Sequence, residues 1–319
     1  MEKKNLKKGL FFAAFGTFLG GFNPIIANSR PMVIDPYLFA ALTVIVEAII
    51  FFPLMMAERK KIKYDFKNKK IDFDEKDLLL NGYKKNIPLL VFIGIVFGGC
   101  MILFFLGYQL AGAINGALVV KTTVFFSLFF GWLILSEKIS TKQVIFSFVL
   151  FFGLLLAVTQ GSFDLLELNL GVLVLLVVSC VWMFTHALAK PLLDRKEITS
   201  IQMVCIRNIF SAIFLFSTYF IFYPLDNVNI LMDPESLFWG FLMGASYGAG
   251  LFLWYKVLEN IEINKATIIL SSNLIVTAFF AMVLLGEIFT IFHLMGTILV
   301  ILSIIIIVSS KENEEIEIV

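Results

Sequence analysis

The sequence of 319 residues is 60% apolar and only 15% charged, whereas a soluble domain carries roughly 25% charged residues. A mean hydropathy of +0.94 excludes an ordinary water-soluble fold. The net charge of +1 says little by itself, because the distribution of charge along the chain carries the information.

Ten apolar stretches are long enough to cross a bilayer core, which takes about 20 residues per helix. Numbered 1 to 10 in chain order, they are Gly9–Ala27, Tyr37–Met56, Ile87–Tyr108, Ala113–Leu135, Gln143–Gly161, Leu170–Ala189, Ile201–Tyr223, Leu237–Leu258, Ala266–Leu285 and Ile291–Ser309. Only helices or closed barrels satisfy the backbone in lipid, and these stretches are too long and too uniformly apolar for barrel strands. We therefore predict an all-α membrane protein with ten transmembrane helices.

Basic residues are distributed unevenly around these stretches. If the N-terminus is cytoplasmic, 22 of the 25 Lys and Arg residues lie in cytoplasmic segments, and Arg30 alone lies in an outer loop. This bias follows the positive-inside rule. It predicts a multi-pass protein of the cell membrane with both termini in the cytoplasm and with segments 162–168 and 224–236 outside. The segment Ala57–Asn86 is predicted to be a cytoplasmic linker with a short interfacial helix near Asp74–Leu80.

The second half of the sequence resembles the first. A shift of 150 residues aligns 87–140 with 237–290 without a gap. The most informative matches are Gly94 with Gly244, Gly98 with Gly248, and Glu137 with Glu287. We interpret the two glutamates as residues that pin helix ends.

A second shift, of 162 residues, places stretch 1 against stretch 6, so each half contains five stretches. Because five is an odd number, the halves must be inverted relative to each other. We predict two inverted five-helix repeats, residues 1–161 and 162–319. This arrangement is common in alternating-access transporters, whose substrate site lies near the membrane midplane between the repeats.

Three features carry a resemblance to a known family. Residues 20–24 (GGFNP) are similar to its Trp-Gly-Ser/Asn-x-Pro-type segment, and residues 133–140 (LILSEKIS) and 283–287 (VLLGE) resemble its "LxLGE" endings of helices 4 and 9. The ten stretches in two repeats match as well. The sequence thus resembles the EamA-type members of the drug/metabolite transporter superfamily. This resemblance implies secondary transport of a small organic metabolite, an amino acid or similar, with export as the direction.

The sequence departs from that family pattern in two places. The family often has a proline in the middle of helices 4 and 9, where this sequence has Val124 and Leu274. The missing prolines weigh against an unwound segment in stretches 4 and 9. The segment Ala57–Asn86 is also longer than the short connection that the family usually has there.

Polar residues at mid-depth of stretches 4 and 9 predict a binding site. Lys121 lies eight residues into stretch 4, roughly 12 Å along the axis at about 1.5 Å per residue. A charge at that depth costs at least about 2.5 kcal/mol, so it needs a partner or a wet cavity. The repeat matches Lys121 with Ser271, and Thr122 and Thr123 with Ser272 and Asn273. We predict that both clusters face a central cavity, with Ser272 and Asn273 opposite Lys121; the alternative is interhelical hydrogen bonding.

Two further charges lie within the stretches, Glu47 in stretch 2 and Arg207 in stretch 7. Glu47 could neutralise Lys121 or Arg207, and we prefer Lys121. One interpretation makes Glu47 a binding-site or proton-coupling carboxylate, and the other makes it part of a fixed ion pair between helices. Arg207 could instead extend toward the inner interface.

Three other side chains complete the predicted substrate-binding set. Asn23 belongs to the GGFNP segment, and the rings of Trp182 and Tyr247 could stack on a substrate or serve only in packing. His186 and His293 lie near the ends of stretches, and we place both at the membrane interface.

The sequence contains no phosphate-binding loop, no HExxH segment and no set of Ser, His and Asp typical of a hydrolase. We expect no enzymatic activity, cofactor, metal or nucleic-acid partner. Three hypotheses stay open: a transporter of a small-molecule substrate, a lipid or lipid-precursor flippase of the same fold, and a structural or sensory membrane protein. Proton coupling and a homodimer also stay open.

Overall fold

The computed structural model describes residues 6–162, 169–222 and 228–309, and these residues form helices without a β-strand. The α-helices are α1 (Leu6–Ser29), α2 (Pro36–Lys67), α3 (Phe73–Asn81), α4 (Ile87–Ala111), α5 (Ala113–Val120), α6 (Thr123–Leu135), α7 (Thr141–Val158), α8 (Leu170–Asp194), α9 (Ser200–Phe222), α10 (Val228–Met232), α11 (Pro234–Leu258), α12 (Ile263–Leu270), α13 (Asn273–Phe280) and α14 (Ile291–Ser309). A 3₁₀ segment, Gly82–Asn86, precedes α4, and a π-helical segment, Ala281–Leu285, follows α13.

The predicted membrane class is confirmed. Eight helical segments of the described chain are long and apolar enough to cross a membrane, and the segments Asn273–Leu285 and Ile291–Ser303 are shorter apolar helices. Each of the ten predicted stretches is mostly helical where it is described, although the arrangement of ten spans in two repeats stays a prediction. Residues 163–168 and 224–227 of the predicted outer segments lie outside the described residues.

Helix α2 is longer than the apolar stretch that predicted it. The side chain of Asp35 accepts hydrogen bonds from two backbone N–H groups of the first turn (2.7 and 3.0 Å), and Pro36 occupies the first helical position. Its 32 residues measure about 48 Å, which exceeds a hydrocarbon core of about 30 Å. The predicted linker Ala57–Asn86 therefore begins as a continuation of α2 to Lys67. The short helix expected near Asp74–Leu80 is α3.

Arg30, the basic residue of the predicted outer loop, is buried between α1 and α4. Its guanidinium donates to the carbonyl oxygens of Ala27 and Ile34 and to the side-chain oxygen of Gln109 (2.7 Å). Burial lowers the pKa of Arg30 to about 10, so the group still carries its charge at neutral pH. A structural role therefore accounts for this exception to the charge bias.

Stretches 4 and 9 are each broken into two helices, contrary to the prediction. Lys121 and Thr122 separate α5 from α6, and Ser271 and Ser272 separate α12 from α13. The backbone N–H groups of Lys121 and Thr122 bond to carbonyls three residues earlier (2.9 and 3.0 Å) rather than four. The Thr122 hydroxyl also donates to the Val119 carbonyl (2.8 Å). Hydroxyl groups that compete for backbone carbonyls accompany the break here without a proline.

Two glutamates connect the halves of the chain through helix N-termini. The Glu137 carboxylate accepts from two backbone N–H groups at the start of α12 (2.9 and 3.4 Å). The Glu287 carboxylate accepts from two at the start of α5 (2.6 and 2.8 Å). The first N–H groups of a helix have no partner within it, and a carboxylate there satisfies them. Each glutamate thus pins a helix end, and that helix belongs to the opposite half.

Glycines bring the helix backbones into close contact at two places. A Cβ atom on Gly94 of α4 would lie 2.9 Å from the Arg207 carbonyl oxygen in α9. A Cβ atom on Gly244 of α11 would lie 3.0 Å from the Thr43 carbonyl oxygen in α2. Small residues are common where membrane helices pack closely, so these glycines set the helix spacing around the centre of the molecule.

Candidate functional site

A cavity of about 170 Å³ lies at the two helix breaks, between α1, α4, α8 and α11. Its polar lining comes from both halves of the chain: Asn23, Lys121, Thr123, His186, Thr267, Ser271, Asn273 and Thr277. Its aromatic lining consists of Phe104, Tyr108, Trp182, Tyr247 and Trp254. A cavity with apolar walls and a few converging polar groups is the usual form of a small-molecule site.

Lys121 is 4% exposed and points its ammonium at the broken helix of the other half. Its Nζ donates a hydrogen bond to Oδ1 of Asn273, the first residue of α13. Among the residues that the structure describes, no carboxylate forms an ion pair with Lys121. A buried ammonium without a counter-charge is costly, so an anion that enters the cavity would lower the free energy of this arrangement.

Glu47 does not provide the counter-charge of Lys121, which corrects our preferred pairing. Both Glu47 and Arg207 are fully buried, and Arg207 Nη2 lies 4.0 Å from Glu47 Oε2. Asn208 donates to the same carboxylate oxygen (2.6 Å), and Arg207 also donates to the hydroxyl of Tyr255 (3.0 Å). Arg207 therefore does not extend to the interface. The two residues pair because α2 packs directly against α9.

Phe97 contacts Arg207 of this buried ion pair and two rings that line the cavity. The Arg207 guanidinium carbon lies 3.3 Å from the centroid of the Phe97 ring, within the range of a cation–π contact. Two further neighbours of Phe97 are Trp182, stacked at 6.4 Å, and Tyr247, tilted at 6.0 Å, and both line the cavity. Glu47 and Arg207 themselves do not belong to the cavity lining.

Both predicted polar clusters line the cavity, but only through their first and third residues. Thr122 and Ser272 are absent from the lining, whereas Thr123 and Ser271 belong to it. The Ser272 hydroxyl donates to the Ile269 carbonyl (2.9 Å), within its own chain segment.

Asn23, Trp182 and Tyr247 all line the cavity, where we predicted a binding role for them. Asn23 accepts a hydrogen bond from the Ser246 hydroxyl (2.9 Å), which connects α1 to α11. The roles of these residues toward a substrate stay predictions.

Most lining residues of the cavity, His186 and Trp254 among them, did not belong to the predicted substrate-binding set. His186 is 7% exposed and lines the cavity, so its expected interfacial position is wrong. It lies four residues after Trp182, and this spacing places both on one face of α8. The same argument applies to Trp254, seven residues after Tyr247 on α11. Helical spacing from the predicted aromatic residues could have identified both.

Comparison with known proteins decides the family. The model of the EamA-like transporter family matches residues 7–159 and 169–309. The chain belongs to the EamA-like transporter family. Its resemblance to drug/metabolite transporters is thereby confirmed.

Two similar proteins agree with the EamA assignment. "Uncharacterized transporter YyaM" of Bacillus subtilis (strain 168) is 24% identical over 230 residues, which cover 70% of this chain and 73% of that protein. A crystal structure of a protein with 12% identity matches with a TM-score of 0.68 over 95% of this chain and 98% of its own; this likeness shows the fold alone. The EamA protein described here is therefore a multi-pass membrane transporter of the drug/metabolite kind.

Proposed function

We propose that this EamA protein is a secondary transporter that exports a small organic metabolite across the cell membrane by alternating access. The observation that carries the proposal is the cavity between the broken helices, where Lys121 is buried without an ion pair among the described residues. Irregular backbone within a membrane protein is tolerated where it is buried in protein or lines a cavity. In many transporters such breaks surround the substrate.

The helix contacts support two inverted repeats, residues 1–161 and 162–319. Suppose that a two-fold axis relates α1 to α8, α2 to α9 and α4 to α11. Each contact between two helices should then have a counterpart between the two helices that correspond to them. Helix α1 packs against α11 and α8 packs against α4, while α2 packs against α11 and α9 against α4. The family model also matches two consecutive segments.

The close contacts support the same two-fold relation at residue level. Gly94 approaches Arg207, and Gly244 approaches Thr43. The shift of 150 residues relates the glycines, and a shift of 164 relates Thr43 to Arg207. Glu137 and Glu287 follow the same relation. Glu137 caps α12, Glu287 caps α5, and each of these helices ends at a break. A pseudo-two-fold axis through the centre of the cavity accounts for all of these pairs.

Alternating access is the mechanism that fits such a pair of repeats. The repeats would rock against each other around the cavity, so that Lys121 faces one side of the membrane at a time. A structural protein that transports nothing would be expected to have a dry, apolar centre in which Lys121 is tightly paired. The polar lining on both sides of the cavity and the missing ion pair among the described residues argue against that alternative.

The test is transport by purified protein in proteoliposomes, after a thermal-shift screen of amino acids, polyamines, sugar phosphates and simple carboxylates has identified a substrate. We expect Lys121→Met to reduce flux at least tenfold while the melting temperature stays the same or rises, because the substitution removes an uncompensated buried charge. Lys60→Met removes an exposed positive charge and serves as the matched control.

Full flux in Lys121→Met at unchanged stability would overturn the proposed role of the cavity. Loss of folded protein in that variant would favour a structural role for Lys121 instead. Translocation of a fluorescent lipid by the wild-type proteoliposomes, without solute flux, would favour the flippase alternative.

A further inference from the structure

Hydrogen-bond donors outnumber charged acceptors around the cavity. Lys121 has three ammonium hydrogens and one acceptor, Asn273, in the described structure. The indole N–H groups of Trp182 and Trp254 are buried and have no acceptor there, although both rings line the cavity and both side chains are only 8% exposed. A buried donor without a partner costs about 1–3 kcal/mol, so acceptor atoms on a ligand would be stabilised near these three residues.

Charged acceptors, by contrast, are missing from the described lining of the cavity, which contains no Asp or Glu. The hydroxyl groups of Thr267, Ser271 and Thr277 donate to backbone carbonyls at 2.7 to 2.8 Å. The side-chain oxygens of Asn23 and Asn273 already accept hydrogen bonds from Ser246 and Lys121. An ammonium group on a ligand would therefore find no counter-charge here and would repel Lys121.

The aromatic walls favour a flat apolar body. The ring centroids of Phe104, Trp182 and Tyr247 lie 5.1 to 6.3 Å from one another, so the three rings form one continuous surface beside the cavity. Such surfaces favour offset or edge contacts with another ring. The volume of about 170 Å³ is close to the roughly 150 Å³ of an apolar protein cavity that binds benzene.

We infer that the substrate is a small monoanionic carboxylate with an apolar body about the size of one ring, and that it is neither a zwitterionic amino acid nor a polyamine. The carboxylate would accept from Lys121, and the body would lie against Phe104, Trp182 and Tyr247. One lysine compensates one negative charge, whereas a dianion would leave a second charge unpaired in an apolar site. This inference rests on the proposed transport function and narrows its substrate class.

The experiment compares four ligands that share a phenyl ring and differ in charge: benzoate, benzamide, benzylamine and phenylalanine. Thermal shifts are measured on the full chain as wild type, Lys121→Met and Lys60→Met, and flux of labelled benzoate and phenylalanine is measured in proteoliposomes. We expect benzoate to raise the melting temperature of wild type and Lys60→Met. The other three ligands should need at least tenfold higher concentrations for the same shift, and Lys121→Met should lose the response to benzoate.

Three results would overturn the inference: no shift with benzoate, an equal or larger shift with any of the other three ligands, or a benzoate shift that persists in Lys121→Met. The flux measurement separates this inference from the proposed function. Phenylalanine flux that depends on Lys121 would support transport and refute the anion class. Benzoate binding that depends on Lys121 without flux of benzoate would support the anion site and refute transport.

Discussion

At the scale of single residues, the membrane interior makes each buried charge depend on its nearest partner. Lys121 has an amide as its described partner, whereas Glu47 and Arg207 have each other at 4.0 Å, with Asn208 between them. The pair is not fully satisfied, because Glu47 Oε1 and Arg207 Nε are buried without partners in the described structure. This incomplete satisfaction leaves the two original interpretations of Glu47, a fixed ion pair and a coupling carboxylate, as distinct hypotheses.

A double-mutant cycle separates those hypotheses for Glu47. We expect Arg207→Met to lower the free energy of unfolding by about 3–5 kcal/mol, because it leaves the Glu47 charge buried and uncompensated. The double variant Arg207→Met with Glu47→Gln should recover much of that loss. The measurements are denaturation in detergent and flux in proteoliposomes. Recovered stability together with recovered flux indicates a fixed ion pair, whereas recovered stability without flux indicates a coupling role.

At the scale of elements, the two interrupted helices beside the cavity have the same arrangement. Each is broken at a polar cluster, α5–α6 at Lys121 and Thr122 and α12–α13 at Ser271 and Ser272. The N-terminal piece of each is capped by a glutamate from the other half. The glutamate caps stabilise the first turns of α5 and α12. These helices can therefore stay folded although each ends at a break that places polar groups at the cavity.

Close helix packing at these elements predicts a position-specific effect of adding one methyl group to α4. Gly94→Ala should lower the free energy of unfolding by about 1–3 kcal/mol, because the new Cβ would lie 2.9 Å from a backbone oxygen of α9, which cannot move aside easily. Gly99→Ala is the matched control in the same helix, since no atom lies within 4 Å of its added Cβ.

The control should be neutral or should stabilise the helix by up to about 1 kcal/mol, as the helix propensities of Ala and Gly predict. Thermal unfolding in detergent measures both variants. Equal effects at the two positions would refute the idea that Gly94 sets the distance between α4 and α9.

At the scale of the whole molecule, α2 offers a direct test of the proposed orientation. Its 32 residues span about 48 Å, and exposed residues flank both of its ends, Met32 before it and Asn68 after it. With a cytoplasmic N-terminus, Met32 should lie outside and Asn68 inside. A cysteine at each position, in a background without the three native cysteines, should label accordingly with a membrane-impermeant maleimide.

We expect Met32→Cys to label in intact cells and Asn68→Cys only after permeabilisation. Labelling of both from one side would show that α2 does not cross the membrane. The reverse pattern would place the N-terminus outside and contradict the interpretation of the basic residues.

The sequence by itself was sufficient to predict the helical membrane class and the protein family. An apolar stretch of about 20 residues is a local property, and lipid permits few other backbone conformations, so the predicted stretches are mostly helical where described, apart from the breaks in stretches 4 and 9. The sequence also predicted that Lys121 lies at mid-depth and that its repeat partner, Ser271, is a polar residue at the same level, because both follow from position along a helix. The matched glycines and glutamates anticipated the contacts that they make.

The sequence placed Asn273 opposite Lys121, but only the tertiary structure decided which partner each buried charge takes. Lys121 meets Asn273 and Glu47 meets Asn208 and Arg207, and these partners lie more than 150 positions apart in the chain. Their pairing depends on which helices are neighbours and on how each is rotated about its axis. Hydropathy and depth contain no information about either, so the partner of Glu47 could not be derived from the sequence, whereas helical spacing could have placed His186 on the face of α8 that lines the cavity.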